Sequence, residues 1–171
     1  KLNVSFSVEN SLHNLAGIAV FLMKENRREI TLPEIENLMP ELIEGQPRMG
    51  FVKEMVVKAG LLYESEGKYG FLHLTFQEYL AAWYFAHSKN SLDILEYRGH
   101  GYWQETFKLF FLIGNAEQFF TEIIDHLEDK KYWENMDLWE ACLRDMVVEE
   151  TQKKMEQLFA HKVLEILPSI P

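Results

Sequence analysis

From Leu61 to Leu72 the chain reads as two short extended runs, Leu61 to Ser65 and Lys68 to Leu72, separated by the dipeptide Glu66-Gly67. A two-residue loop ending in glycine suits a tight β-hairpin, because such turns need positive φ at their centre. This hairpin constrains the fold more than any other feature, since almost everything around it carries helical periodicity. The chain must be mainly α and must accommodate a small β element in its first half.

Upstream, Asn10 or Ser11 can cap a first helix, whose apolar positions Leu12, Leu15, Ala16, Ala19, Leu22 and Met23 follow the three-four spacing of a buried stripe. The helix should end near Asn26. A short extended piece, Glu29 to Thr31, leads into Thr31-Leu32-Pro33-Glu34. There Thr31 and Glu34 have the separation of a capping box, and Pro33 fits a first helical turn. The second helix carries Ile35, Leu38, Met39 and Leu42 and stops at Gly45. Pro47 opens a third, with Val52, Met55, Val56 and Ala59 on one face and Gly60 where a left-handed residue is wanted. Three helices followed by a hairpin, with a short Gly/Pro connection between the second and third, is the element order of a winged helix-turn-helix domain. It is expected over residues 9–74.

Residues 75–171 read as a helical domain. Thr75 and Glu78 repeat the capping-box spacing, and Phe76, Tyr79, Leu80 and Trp83 form an aromatic stripe. A break at Ser88 to Ser91, a short helix to about Tyr97 and a flexible joint, Arg98-Gly99-His100-Gly101, come next. Further stripes lie at Trp103, Phe107, Phe110 and Phe111; at Phe119, Ile123, Ile124 and Leu127; at Leu138, Trp139, Leu143 and Met146; and at Met155, Leu158, Phe159 and Leu167. Such a string packs as an α-helical bundle or as a short helical-repeat segment of stacked pairs, though no regular period is present.

At 171 residues the chain can bury an ordinary core. The lone Cys142, beside Trp139 and Leu143, reads as a small apolar filler on a helix. No apolar run reaches the length of a membrane span and no secretory signal opens the chain, so a cytoplasmic location is expected. The first residue is Lys1 rather than methionine, as in a segment of a longer protein. Charge is uneven. Residues 10–75 hold seven basic and nine acidic side chains, whereas residues 76–171 hold nine and seventeen, and the net charge is -10. That field repels phosphate backbones, so nucleic acid is a poor partner for the second half, and basic protein surfaces are better ones.

The stretch Tyr69-Gly-Phe-Leu-His-Leu-Thr-Phe-Gln-Glu-Tyr-Leu-Ala-Ala82 resembles the segment that closes the winged helix in NACHT-family proteins of the STAND class of signal-transduction ATPases. The features around it are similar too: the charged Lys24-Glu25-Asn26-Arg27-Arg28, then Val57-Lys-Ala-Gly-Leu-Leu62, and downstream Trp103-Gln-Glu-Thr106. The resemblance implies an upstream nucleotide-binding domain, on which the winged helix folds back to hold ADP in a closed, inactive state. It also implies that the histidine of the motif, here His73, reaches the nucleotide phosphates as the sensor. An imidazole leaving a strand just ahead of a helix N-terminus is suited to an anion. Gln77 and Glu78 belong to the same stretch, but helix capping accounts for Glu78 without a ligand. Phe71, Phe76, Tyr79 and Trp83 read as packing residues.

The chain contains no G-x-x-x-x-G-K-[ST] phosphate loop, its only Gly-Lys pair being Gly67-Lys68 in the wing turn. It is therefore expected to catalyse nothing alone and to carry no cofactor itself, with ATP or ADP and Mg²⁺ belonging to the parent protein. Expected partners are the upstream nucleotide-binding domain and a protein partner or effector domain, with oligomerisation of the parent as a family habit. The remaining histidines, His13, His87, His100, His126 and His161, have no zinc-site spacing. Two alternatives stay open. One is a DNA-binding winged helix using Arg48, Lys53 and Lys58, opposed by Glu54, Glu64, Glu66 and the overall charge. The other is a stand-alone helical interaction module.

Overall fold

The computed structural model describes residues 7–38, 48–57, 59–126, 134–144 and 149–166, which form two compact units, Lys1–Tyr84 and Phe85–Pro171. The first unit opens with helix α1, Val8–Lys24. Its N-cap is Ser7, whose Oγ accepts from the Asn10 amide at 3.2 Å, so the helix starts earlier than a cap at Asn10 or Ser11 would place it. Ser7 supplies the same chemistry one turn upstream. Leu15, Ala16, Ala19, Leu22 and Met23 are buried as their spacing requires, and Ile18 and Val20 join them.

Strand β1, Ile30–Thr31, and helix α2, Leu32–Leu38, follow. The Thr31–Glu34 pairing is present: one Glu34 carboxylate oxygen accepts from both the amide and the hydroxyl of Thr31, each at 2.8 Å. Met39, Leu42, Gly45 and Pro47 lie outside the described residues. Helix α3, Arg48–Val57, buries Val52 and Met55 as expected, with Phe51 as a further core residue. Ala59 is exposed rather than on the core face, because the helix has already ended at Val57. Gly60 has φ +61°, and the Leu61 amide turns back to the Met55 carbonyl at 3.1 Å.

Strands β2, Leu62–Ser65, and β3, Lys68–Phe71, pair antiparallel through a turn in which Glu66 and Gly67 both have positive φ, 52° and 75°. The piece before α2, legible only as an extended stretch, turns out to be the third strand. Ile30 sits opposite Tyr69, and the sheet order is β1-β3-β2. Ile30, Leu62, Tyr69 and Phe71 carry the sheet into the core of this unit.

Helix α4, Leu74–Ala86, begins straight after the sheet. In the second unit, two 3₁₀ turns, Ser91–Tyr97 and Gly101–Trp103, lead into helix α5, Gln104–Ile113, and then α6, Ala116–Asp125. Helices α7, Met136–Arg144, and α8, Glu149–Ile166, complete the described chain. The joint at residues 98–101 is bonded rather than loose: the His100 amide reaches the Tyr97 carbonyl at 3.0 Å, and Trp103 reaches His100 at 2.8 Å. Helix α5 packs on α6 and α7, and α8 packs on the same two helices, which is bundle packing. Trp103, Phe107, Phe110, Phe111, Phe119, Ile123, Ile124, Leu138, Trp139, Leu143, Met155 and Phe159 are buried as their stripes require, and so is Cys142. Leu158 departs from its stripe and is exposed, while Phe120 belongs to the core instead. Leu127, Met146 and Leu167 lie outside the described residues.

Candidate functional site

The end of the sheet and the start of α4 set the position of His73. On β3, Tyr69, Gly70 and Phe71 are buried, and the Leu72 amide donates to the Leu61 carbonyl at 3.0 Å, carrying the hairpin one step further. The chain then emerges, so Leu72 and His73 are both exposed. The His73 carbonyl accepts from the Phe76 amide at 3.1 Å, closing the first turn of α4. His73 therefore occupies the cap position, and Thr75 lies inside the helix instead of capping it. The His73 ring meets the Phe76 ring edge-on, with centroids 5.6 Å apart.

Helix α4 has two unlike faces, and they do not follow the aromatic stripe. Phe76 and Tyr79, expected in the core, are 37% and 40% exposed, and Tyr84 is exposed beside them. Trp83 is half-buried, with the His13 ring at 4.9 Å and perpendicular to it. The buried face is instead Gln77, Glu78, Leu80, Ala81 and Ala82, where small residues let the helix backbone approach its neighbours. Of the expected core aromatics in this region, Phe71 alone is fully buried.

The two polar residues at the head of this face are buried. Gln77 is 1% exposed and Glu78 7%. The Gln77 side-chain amide donates to the Arg27 carbonyl at 3.2 Å, tying α4 to the turn between α1 and β1. The Arg27 guanidinium is in turn held by both Glu34 carboxylate oxygens, at 2.7 and 3.1 Å, and lies 5.6 Å from the Phe21 ring centroid. The guanidinium, followed by the Thr31 donors, holds the Glu34 carboxyl down to about pKa 2, and the same pairing raises Arg27. Nothing in the sequence marks this role of Gln77, because its partner is a backbone carbonyl 50 residues away.

Of the cations proposed for a DNA-reading third helix, Lys53 is exposed on α3, while Lys58 and the Arg48 side chain lie outside the described residues. Among the described residues there is no grouping of three or more His, Cys, Asp and Glu able to hold a metal ion, and no described helix is long and apolar enough to cross a membrane.

Three helices, a three-stranded antiparallel sheet with a tight wing turn, and a further helix starting directly from the wing define a winged helix-turn-helix domain. Residues 4–85 match the model of the family described as the winged helix-turn-helix domain C-terminal to NACHT, and this segment of the chain belongs to that family. None of the curated proteins matches the chain.

Proposed function

We propose that this chain is the regulatory end of a NACHT-type signalling ATPase. Its winged helix folds back on an upstream nucleotide-binding domain, favours the closed ADP state and passes the opening of that state to the helical unit behind it. The observation that carries this reading is the place of His73: exposed, at the junction of the wing and α4, in a segment of the NACHT-associated winged-helix family. An imidazole there donates a hydrogen bond to a phosphate oxygen in the region where the first amides of a helix already favour negative charge. The phosphate loop, its lysine and the Mg²⁺ site belong to the upstream domain, and this segment catalyses nothing alone.

The outer face of α4 supports the same reading. Glu78 is the single charged residue in Leu74–Ala86 and it is buried, so the exposed side of the helix consists of Thr75, Phe76, Tyr79 and Tyr84 without one charge. Helices that are apolar nearly all round are covered in their working assembly. A domain that brings a nucleotide to His73 must come against Phe76, whose ring is already in contact with it. The acidic helical unit then offers its surface to a protein partner or effector in the cytoplasm, and oligomerisation of the opened parent is part of this proposal.

The test is His73→Ala in the protein that carries its upstream NACHT domain. A lost hydrogen bond to a charged group corresponds to roughly 10- to 100-fold faster ADP release and a shift toward the open form. Unchanged ADP retention with unchanged signalling output rejects the sensor role.

A further inference from the structure

Two consecutive carbonyls of the turn after α1 meet the chain on both flanks of His73. Three residues before it, Gly70 lies so close to the Arg28 carbonyl that a Cβ there would stand 2.5 Å from that oxygen and 2.8 Å from the Tyr63 ring. Four residues after it, the buried Gln77 amide donates to the Arg27 carbonyl. The turn itself is fixed from its other side. Asn26 adopts φ +50°, the Arg27 amide returns to the Leu22 carbonyl at 2.9 Å, and the Arg27 side chain is anchored on Glu34 at the head of α2. Next along the chain, Glu29 accepts from the Tyr63 hydroxyl at 3.1 Å and pairs with Lys68 at 3.8 Å, holding the turn against both wing strands.

We propose that the turn at residues 26–29 is a clamp that positions His73, with Gln77 and the Arg27–Glu34 pair as positioning residues and Gly70 as the close-approach point. His73 is exposed and its ring meets the edge of Phe76, yet a group that must meet a phosphate oxygen has to be held within a fraction of an ångström. The clamp supplies this without occupying the exposed side. It fixes β3 ahead of the histidine by contact and α4 behind it by a directional bond, so the short segment between has little freedom. Through Arg27, the same clamp links the histidine to α1 and α2. The functional part of this inference rests on the reading of His73 as the phosphate-facing residue, whereas the positional part does not.

The test uses Gln77→Met, which keeps the length and apolar fit of the side chain but removes the donor, and Glu34→Gln, which weakens the clamp from the α2 side. In the 171-residue chain, the His73 ring resonances and the ring-current effect of Phe76 on them should shift in both variants toward those of a free imidazole. The amide signals of α3 should stay in place and report that the winged-helix unit remains folded. Folded variants with unmoved His73 resonances overturn the clamp. In the protein with its upstream domain, Gln77→Met should speed ADP release about five- to tenfold, and should add nothing once His73→Ala is present. Full additivity of the two substitutions overturns the claim that Gln77 acts through His73. If His73→Ala alone leaves ADP release unchanged, the nucleotide reading fails, and the resonance shifts still decide the clamp.

Discussion

In the unit that ends at Tyr84, the path of the chain is set largely by backbone and polar constraints: positive φ at Asn26, Gly60, Glu66 and Gly67, a glycine pressed on a carbonyl at Gly70, and a buried amide at Gln77. In the unit that starts at Phe85, rings do this work. Phe119 sits 4.8 Å from Phe110 and 4.9 Å from Phe111, Trp139 meets Phe107 edge-on at 6.0 Å, and Phe120 meets Phe159 at 5.6 Å. Tyr97 and Trp103 stack nearly parallel at 4.2 Å. Directional constraints fix one geometry and can place a functional group. Ring packing is non-directional in its main term and stabilises through buried area.

The largest expected effect tests the ring-packed side. Trp139 is completely buried, so Trp139→Ala leaves a cavity and should cost about 3 to 5 kcal/mol. Measured by amide hydrogen exchange, the loss should appear in α5, α6, α7 and α8, while the amides of the β2–β3 hairpin keep their protection. Equal loss in the hairpin would erase the distinction between the two units.

The same contrast explains what was legible in the sequence. Local rules with a short reach carried over: Thr31 and Glu34 bond as a capping pair, Glu66-Gly67 makes the wing turn, and the phenylalanines from Phe107 to Phe119 are core. Periodicity failed on α4, because a helix apolar on almost every side offers no polar face from which to infer orientation. Helical spacing puts Phe76 and Tyr79 on one face with Trp83, but Ala81 and Ala82 permit the closer approach and take the inner face. Gln77 was hidden for a different reason. Its partner, the Arg27 carbonyl, lies 50 residues away, and a backbone acceptor leaves no trace in side-chain identity. The pairing of Ile30 with Tyr69 is equally non-local, so a two-residue strand could be read as extended but not as part of the sheet. His73 was singled out by the motif alone, and the structure adds its exposure and its contact with Phe76.

An intermediate effect tests the polar side through pH. The Glu34 carboxyl, held down to about pKa 2 by Arg27 and the Thr31 donors, has a folded pKa below its unfolded value. Its contribution is therefore present above the unfolded carboxylate pKa of about 4.3 and is lost as pH falls toward 2. With the Arg27 and Glu34 side chains 38% and 32% exposed, solvent screening reduces the contribution to about 1 kcal/mol. Urea unfolding of the winged-helix unit between pH 6 and pH 2 should show that loss in the native chain, and a shallower slope in Glu34→Gln. Identical slopes would mean that the pair does not stabilise the turn.

The smallest expected effect concerns a strained position in the directional unit. Glu66 holds φ +52° at the first central residue of the wing turn, where side chains other than Asn, Asp and Gly are disfavoured. Its side chain is exposed. Replacing it with asparagine relieves the backbone without disturbing the register of Leu62 with Phe71, and Glu66→Asn should stabilise the winged-helix unit by roughly 0.5 kcal/mol. A gain seen as slower exchange of the hairpin amides, with α5 to α8 unaffected, would confirm that this unit responds to backbone geometry. No gain would mean that Glu66 is retained for a contact on the exposed wing tip, and the wing would then become the next surface to examine for a partner.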